Sequence, residues 1–151
     1  MPSFEERFER LEDELAIRAL AARFADTATR NDIEGFRALW IPDATWMIGA
    51  PNAASCQGLE EVMTLFHGLR SNKDFFVEFV NPGVIELDGA RATARWLIYE
   101  VAKGPNEVYY TTYGYFDDIL VKTENGWRFS HRAYTYLYLD YSPFSGEGFR
   151  V

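Results

Sequence analysis

Apolar residues recur every three to four positions near the start of the chain, which predicts a long amphipathic helix. The stretch from about Glu5 to Arg30 carries Ile17, Leu20, Phe24 and Ala28 at this spacing. The same stretch contains no Gly or Pro, so nothing in it interrupts a helix.

Two shorter helical patterns follow. Asp32 can cap a short helix that ends at Pro42-Asp43, and residues 59–69 predict a third helix. Between them, residues 49–58 are rich in Gly, Pro, Asn and Ser and predict a loop. The apolar positions are Phe36, Leu39 and Trp40 in the second helix and Val62, Met63, Phe66 and Leu69 in the third.

The pattern then changes to the alternation of apolar and polar positions that is typical of strands. Asp88-Gly89 predicts a hairpin turn, and Pro82-Gly83 predicts a bend or bulge within a strand. The predicted strands cover residues 44–48, 75–86, 92–102, 108–122 and 127–139, and the tail after them is irregular.

Three helices followed by a meander of long strands predict an α+β fold. A length of 151 residues with 48% hydrophobic residues suits a single domain, residues 1–151, with a substantial core. A curved antiparallel sheet packed on the three N-terminal helices is the arrangement that would bury this much apolar and aromatic surface.

The charge balance excludes some classes of partner. The chain has 15 Lys and Arg against 23 Asp and Glu, a net charge of −8. An acidic protein without a basic run repels phosphates, so we expect no nucleic acid and no anionic membrane as a partner. No apolar run approaches the roughly 18 residues of a membrane helix.

Cysteine and histidine usage narrows the chemistry. Cys56 is the one cysteine, which leaves no intrachain disulfide and no Cys-based zinc site, and with two histidines a His-rich metal centre is not expected. We expect no metal and no cofactor. The charged start MPSFEERFERLEDEL is unlike a secretory signal, and these features together favour a cytoplasmic protein.

Several phrases, taken in order, resemble one family. They are AIRALAARFADTATRND, FRALWIPDATW, GLEEV, NPGVIELDGARATARW, TYGYFDDILVK and NGWRFSHR. Together they are similar to the SnoaL-like branch of the nuclear transport factor 2-like superfamily, from about Ala16 to Arg132. The resemblance implies a cone-shaped curved sheet around an apolar cavity. Members include scytalone dehydratase, ketosteroid isomerase, a bile acid dehydratase and a dehydrochlorinase.

The acid–base residues that the resemblance would imply are absent. The eliminating members carry a carboxylate late in the first helix and a histidine on the strand before the NP motif, which fall here at Thr29 and Val77. The base of the isomerases falls at about Ile48, and the tyrosine often found in the first helix falls at Phe24. Proton transfer by this chain would need other residues.

Alternation from the family pattern supplies candidates for a cavity wall. It directs Glu78 outward and predicts that Asp118 faces inward as a structural hydrogen-bond acceptor. The predicted substrate-binding residues are Phe24, Trp46, Val77, Trp96 and Phe116, and the predicted catalytic residues are Glu100 and His131.

Each catalytic candidate also has a structural interpretation. In an apolar wall the pKa of the Glu100 carboxyl would rise, which suits a general acid or base, and the bile acid dehydratase has an aspartate at about this place. Alternatively, Glu100 reaches water at the end of its strand. An inward His131 could transfer protons, or it could be a half-buried histidine bonded to a carbonyl or to Asp118. A single-residue bulge would reverse its direction.

Four tyrosines predict an interface. By alternation Tyr113, Tyr115, Tyr134 and Tyr136 lie on the convex face of the sheet, which no helix is left to cover. Asp117 and Arg132 are predicted on the same face. An uncovered aromatic patch often marks an interface, so we expect a homodimer through the convex face.

The function that the sequence favours is cofactor-free dehydration or isomerisation of an apolar cyclic molecule, by a lyase or an isomerase. The alternative is a non-catalytic protein that binds hydrophobic ligands and has lost the usual catalytic pair. A third interpretation is a structural partner of an aromatic-ring dioxygenase, which shares the fold. Fold alone does not decide among them.

Overall fold

Three helices form where the sequence predicts them. The computed structural model describes all residues, Met1–Val151. The helices are α1 (Phe4–Arg30), α2 (Ile33–Arg37) and α3 (Leu59–Ser71). Ser3 and Glu6 form a reciprocal capping box at the start of α1, and the Asp32 carboxylate accepts from the amide of Gly35 at the start of α2.

Seven strands form one curved, open sheet against these helices. Its strand order is β2-β1-β7-β6-β5-β3, and β4 also pairs with β5. The strands are β1 (Trp40–Ile48), β2 (Ala54–Gln57), β3 (Phe75–Val80), β4 (Val84–Asp88), β5 (Arg91–Gly104), β6 (Val108–Thr123) and β7 (Gly126–Asp140).

The α+β prediction is confirmed, with three corrections in detail. The sheet is mixed and not wholly antiparallel, because β1 runs parallel to β7. Strand β1 begins at Trp40, which was predicted in the second helix, and β2 forms within the predicted loop. Alternation carries no information about strand direction, and a four-residue strand is too short to give a pattern.

The core lies between the inner face of the sheet and the helices. Phe24 of α1 is at its centre, 2% exposed, and its ring packs within 5.0–6.1 Å of five other aromatic rings. These rings belong to Phe36, Trp40, Trp46, Phe116 and Phe129. No helix is both long enough and apolar enough to cross a bilayer.

Candidate active site

A cavity of about 220 Å³ lies between α1, α3 and the inner face of the sheet. It is smaller than the roughly 300–1,000 Å³ of sites for drug-sized ligands, which indicates a small guest. Phe24, Trp46 and Phe116 line it, as the sequence predicts. The other apolar lining residues are Ala28, Phe36, Ile48, Ala54, Phe66, Leu69 and Phe76.

Polar groups are gathered on one part of this apolar wall. Glu78 and Glu100 come from adjacent strands, and three tyrosines, Tyr110, Tyr134 and Tyr136, lie around them. The Tyr134 hydroxyl shares a hydrogen bond of 3.0 Å with the hydroxyl of Thr112. The remaining polar lining residues are Asn52, Arg70 and Lys73.

The two carboxyl groups face each other across the β3–β5 pair, where Glu78 is directly opposite Glu100. Burial raises the pKa of Glu78 well above its ordinary value, and the neighbouring Glu100 raises it further. Burial also raises the pKa of Glu100, but the neighbouring polar groups of Glu78 and Tyr110 and the charge of Lys73 oppose that rise. The environment therefore favours the proton on Glu78 and the charge on Glu100.

The inward direction of Glu78 corrects the sequence-based prediction, which had directed Val77 inward instead. In β4 the inward residues Ile85 and Leu87 face Ala94 and Ala92 of β5. Both β3 and β4 pair with β5, and Pro82-Gly83 connects them. Across this connection the register against β5 changes by one residue. A shift of one residue exchanges the two faces of a strand, so Val77 leaves the cavity wall.

A bulge in β7 corrects the prediction for His131. Leu120 pairs with Phe129 and Ile119 pairs with His131, so Ser130 is left without a partner. Beyond this bulge the inward positions are 132, 134 and 136, and His131 does not line the cavity. Its Nδ1 instead bonds the hydroxyl of Thr45 on β1.

The same bulge corrects the tyrosine prediction. Tyr134 is 4% exposed and lines the cavity together with Tyr136, so neither lies on the convex face. Tyr113, which is 49% exposed, remains on that outer face. Gly114 makes room for the inward Tyr134, because a Cβ at residue 114 would collide with the ring and hydroxyl of Tyr134.

A buried ion pair lies beneath the cavity. The Arg132 guanidinium donates to both Asp118 carboxylate oxygens, at 2.7 and 2.8 Å, and the indole N–H of Trp96 donates to the same carboxylate. Phe24 and Phe116 stack against this guanidinium within 4.2 Å. Trp96 is therefore buried in the core and does not line the cavity.

The sequence predicted Arg132 on the convex face with Asp117, and the structure corrects this prediction. Arg132 is 1% exposed and faces the core. Arg95 of β5 takes its place and pairs with Asp117 at 2.8 Å.

Thr29, at the position where the eliminating members carry a carboxylate, connects two elements of the structure. The Thr29 hydroxyl accepts a hydrogen bond of 3.1 Å from the backbone amide of Glu78, which fastens the end of α1 to β3. Two further ionisable side chains on the helices, Asp26 of α1 and His67 of α3, are exposed and do not line the cavity. Cys56 is buried, and burial raises the pKa of its thiol, so it is not an activated nucleophile.

The buried carboxyl pair predicts a pH-dependent stability. A carboxyl whose pKa is raised by folding contributes stability below its unfolded pKa, and that stability is lost as the pH rises through the folded pKa. Glu78→Gln has no carboxyl to ionise at this position, so it does not lose this stability as the pH rises. We therefore expect the Tm of Glu78→Gln minus the Tm of the native protein to increase between about pH 5 and about pH 8. Thermal unfolding followed by circular dichroism measures it. Glu86→Gln, on the exposed side of β4, is the matched control. A Tm difference independent of pH would contradict the assignment.

Comparison with known proteins agrees with this architecture. A hexachlorocyclohexane dehydrochlorinase, LinA-type3, from Novosphingobium barchaimii superposes with a TM-score of 0.81 at 14% identity, covering 95% of this chain and 97% of that one. A candidate scytalone dehydratase from Novosphingobium aromaticivorans gives 0.78 at 18% identity, covering 92% and 93%. These identities indicate a shared fold.

A third structure, an NTF2-like protein with a cystatin-like fold from Novosphingobium aromaticivorans, gives a TM-score of 0.75 at 23% identity, covering 91% and 92%. No curated protein matches the chain by sequence. The pattern of the SnoaL-like domain matches residues 9–133, which is most of the chain. The resemblance seen in the sequence is confirmed, and the chain belongs to the SnoaL-like domain family.

Proposed function

We propose that this protein catalyses cofactor-free proton transfer, either dehydration or double-bond isomerisation, on a small apolar cyclic molecule. The observation that carries the proposal is the pair of facing carboxyl groups, Glu78 and Glu100, in an otherwise apolar cavity. Two carboxyl groups with opposed tendencies to ionise supply a general acid and a general base at once. Membership of the SnoaL-like domain family and similarity to a candidate scytalone dehydratase and a dehydrochlorinase support a lyase-type reaction.

In the proposed reaction Glu100 is the base and Glu78 is the acid. The ionised Glu100 removes a proton from carbon next to a carbonyl group, and the electron pair of that C–H bond forms the new double bond. In a dehydration, the protonated Glu78 delivers its proton to the departing hydroxyl, which leaves as water. In an isomerisation Glu100 returns the proton to the γ-carbon, the far end of the original β,γ double bond, and the electron pair of that π bond forms the new C–H bond. Tyr110, Tyr134 and Tyr136 supply hydroxyl groups that can bind the substrate carbonyl oxygen.

One observation favours the alternative, a binding protein without catalysis. The residues at the acid and histidine positions of the eliminating relatives are Thr29 and Val77. The Thr29 hydroxyl is engaged with the backbone of β3, and Val77 does not line the cavity. In this alternative the carboxyl pair and the tyrosines serve only to hydrogen-bond a ligand.

A panel of cyclic β-hydroxyketones and β,γ-unsaturated ketones separates the two functions. Either proposed reaction yields a conjugated enone, whose ultraviolet absorbance reports turnover directly. Calorimetry on the same compounds reports binding. Enone formation supports the enzyme. Binding without enone formation for any compound would contradict it and favour the carrier.

We also propose a cytoplasmic homodimer that forms through the convex face of the sheet. Four aromatic rings on neighbouring strands, those of Phe79, Tyr99, Tyr113 and Tyr138, follow one another across this face at centroid distances of 5.9, 4.8 and 5.6 Å. Leu97, on the same face, is 55% exposed. Burying this surface against a second copy would remove a large apolar area from water.

The dimer makes a prediction about mass. Sedimentation should give twice the 17.4 kDa of the chain at micromolar concentration, and Leu97→Asp with Tyr113→Asp should halve it. Phe8→Asp with Leu11→Asp on α1 is the matched control, because these residues are similarly exposed, at 51% and 54%. A native mass near 17.4 kDa, or dissociation by the control pair alone, would contradict this interface.

A further inference from the structure

The cavity is electrostatically unlike the rest of the molecule. Arg70 and Lys73 are its basic lining residues, and Glu78 and Glu100 are its acidic ones. With the proton held by Glu78, the carboxyl pair carries at most one negative charge. The lining of the cavity is then net positive, within a chain whose net charge is −8.

Neither cation forms a close ion pair, although the charge of Glu100 lies near Lys73. The Lys73 ammonium makes one hydrogen bond, of 3.1 Å, to the side-chain oxygen of Asn72, and it forms no ion pair. The Arg70 guanidinium donates to the backbone carbonyls of Ala28 and Thr29 at the end of α1, at 2.6 and 3.3 Å. Backbone carbonyls carry no net charge, so these hydrogen bonds do not neutralise the guanidinium as a carboxylate would.

The two cations also repel each other. Burial lowers the pKa of the Lys73 ammonium and the nearby Arg70 guanidinium lowers it further, while Glu100 raises it. A bound anion would offset the repulsion between the two cations and accept hydrogen bonds from both groups.

The positive region continues outward from the cavity. Arg70, Lys73 and Phe76 also line an adjoining recess of about 320 Å³. Two further arginines, Arg30 and Arg150, line this recess, and its one acidic side chain is Asp74, which Arg150 already binds at 3.1 Å. An elongated ligand can therefore keep an anionic end at the recess while its rings fill the cavity.

We propose that Lys73 and Arg70 bind the anionic group, a carboxylate, sulfonate or phosphate, of a ligand whose apolar ring system occupies the cavity. This proposal rests on the proposed function, since it names the substrate class of the same site. It makes Lys73 a determinant of specificity that selects charged over neutral ring compounds.

A matched pair of fluorescent probes tests the proposal without an identified substrate. The probes are 1-anilinonaphthalene-8-sulfonate and N-phenyl-1-naphthylamine, which have the same rings with and without the sulfonate. We expect the sulfonate to bind about tenfold more tightly than the neutral probe, since hydrogen bonds to charged groups are the stronger kind. Lys73→Gln should abolish this preference by weakening the sulfonate alone, and Lys73→Arg should retain it.

Lys103→Gln is the control, because Lys103 is a surface lysine that pairs with Glu107 at 3.2 Å. Equal affinity of the native protein for the two probes would overturn the proposal. Equal loss of both probes in Lys73→Gln would also overturn it, as would failure of both to bind. Turnover of neutral ketones without any preference for the sulfonate would refute the anion site and leave the proposed reaction intact.

Discussion

Replacing Arg132 with methionine is expected to lower the free energy of unfolding by about 3–5 kcal/mol, the usual cost of removing one partner from a buried ion pair. The substitution leaves the Asp118 carboxylate, itself 3% exposed, without the two charged hydrogen bonds that compensate its burial. Phe24 and Phe116 also lose the cation between their rings. Urea unfolding followed by circular dichroism measures the loss.

Two further variants separate the ion pair from simple loss of packing. Adding Asp118→Asn to Arg132→Met removes the orphaned charge, so the double variant should recover more than about 1 kcal/mol. Arg95→Met is the matched control, since Arg95 of β5 pairs with Asp117 of β6, next to Asp118, but is 62% exposed in its side chain. It should cost about 0–1 kcal/mol. Equal losses at the buried and exposed pairs would contradict this account.

The second large effect concerns catalysis. Glu78→Gln and Glu100→Gln should each lower the rate of enone formation by roughly 10²-fold or more, the usual contribution of a general acid or base. Each glutamine keeps the size of the side chain but can neither accept nor deliver the transferred proton. The assay is the absorbance measurement on the ketone panel. Native-like rates in both variants would refute the assignment.

His131→Ala distinguishes the sequence-based hypothesis from the structure. The sequence-based hypothesis makes His131 a catalytic partner of Glu100, and it predicts a similar loss of turnover for this variant. The structure directs the imidazole to Thr45, away from the cavity, so the rate should stay within about twofold of the native value. A hundredfold loss would restore the hypothesis drawn from the sequence.

The proposed reaction implies a pH profile for the native protein, because the two carboxyl groups share a proton. The reaction needs one carboxyl protonated and the other ionised. The rate should therefore fall below the lower apparent pKa, where both are protonated, and above the upper one, where both are charged. In Glu78→Gln the upper limb should disappear, because Glu78 is the carboxyl of the pair whose pKa burial and the neighbouring Glu100 raise well above its ordinary value.

The sequence by itself determined the three helices, the three long C-terminal strands and the family. Apolar spacing of three to four residues predicts α1 and α3, and the Asp88-Gly89 turn predicts the β4–β5 hairpin, because each signal depends on neighbours a few residues apart. It also identified Glu100 as an acid on a strand that otherwise alternates apolar residues inward. Phe24, on α1, and Trp46 and Phe116, on strands, followed from local periodicity combined with the fold that the family resemblance implies.

Tertiary structure alone decided which residues meet in the cavity. Alternation predicts which face a side chain is on only as long as the strand is regular. A shift of one residue moves every later side chain of the strand to the opposite face of the sheet. The shift at Pro82-Gly83 brought Glu78 opposite Glu100, and the bulge at Ser130 turned Arg132 inward and His131 outward. Pairing with the neighbouring strand decides such irregularities, because the hydrogen bonds of a ladder join residues far apart in sequence. Glu78, the proposed acid–base partner of Glu100, was therefore present in the sequence, but only strand pairing placed it opposite Glu100.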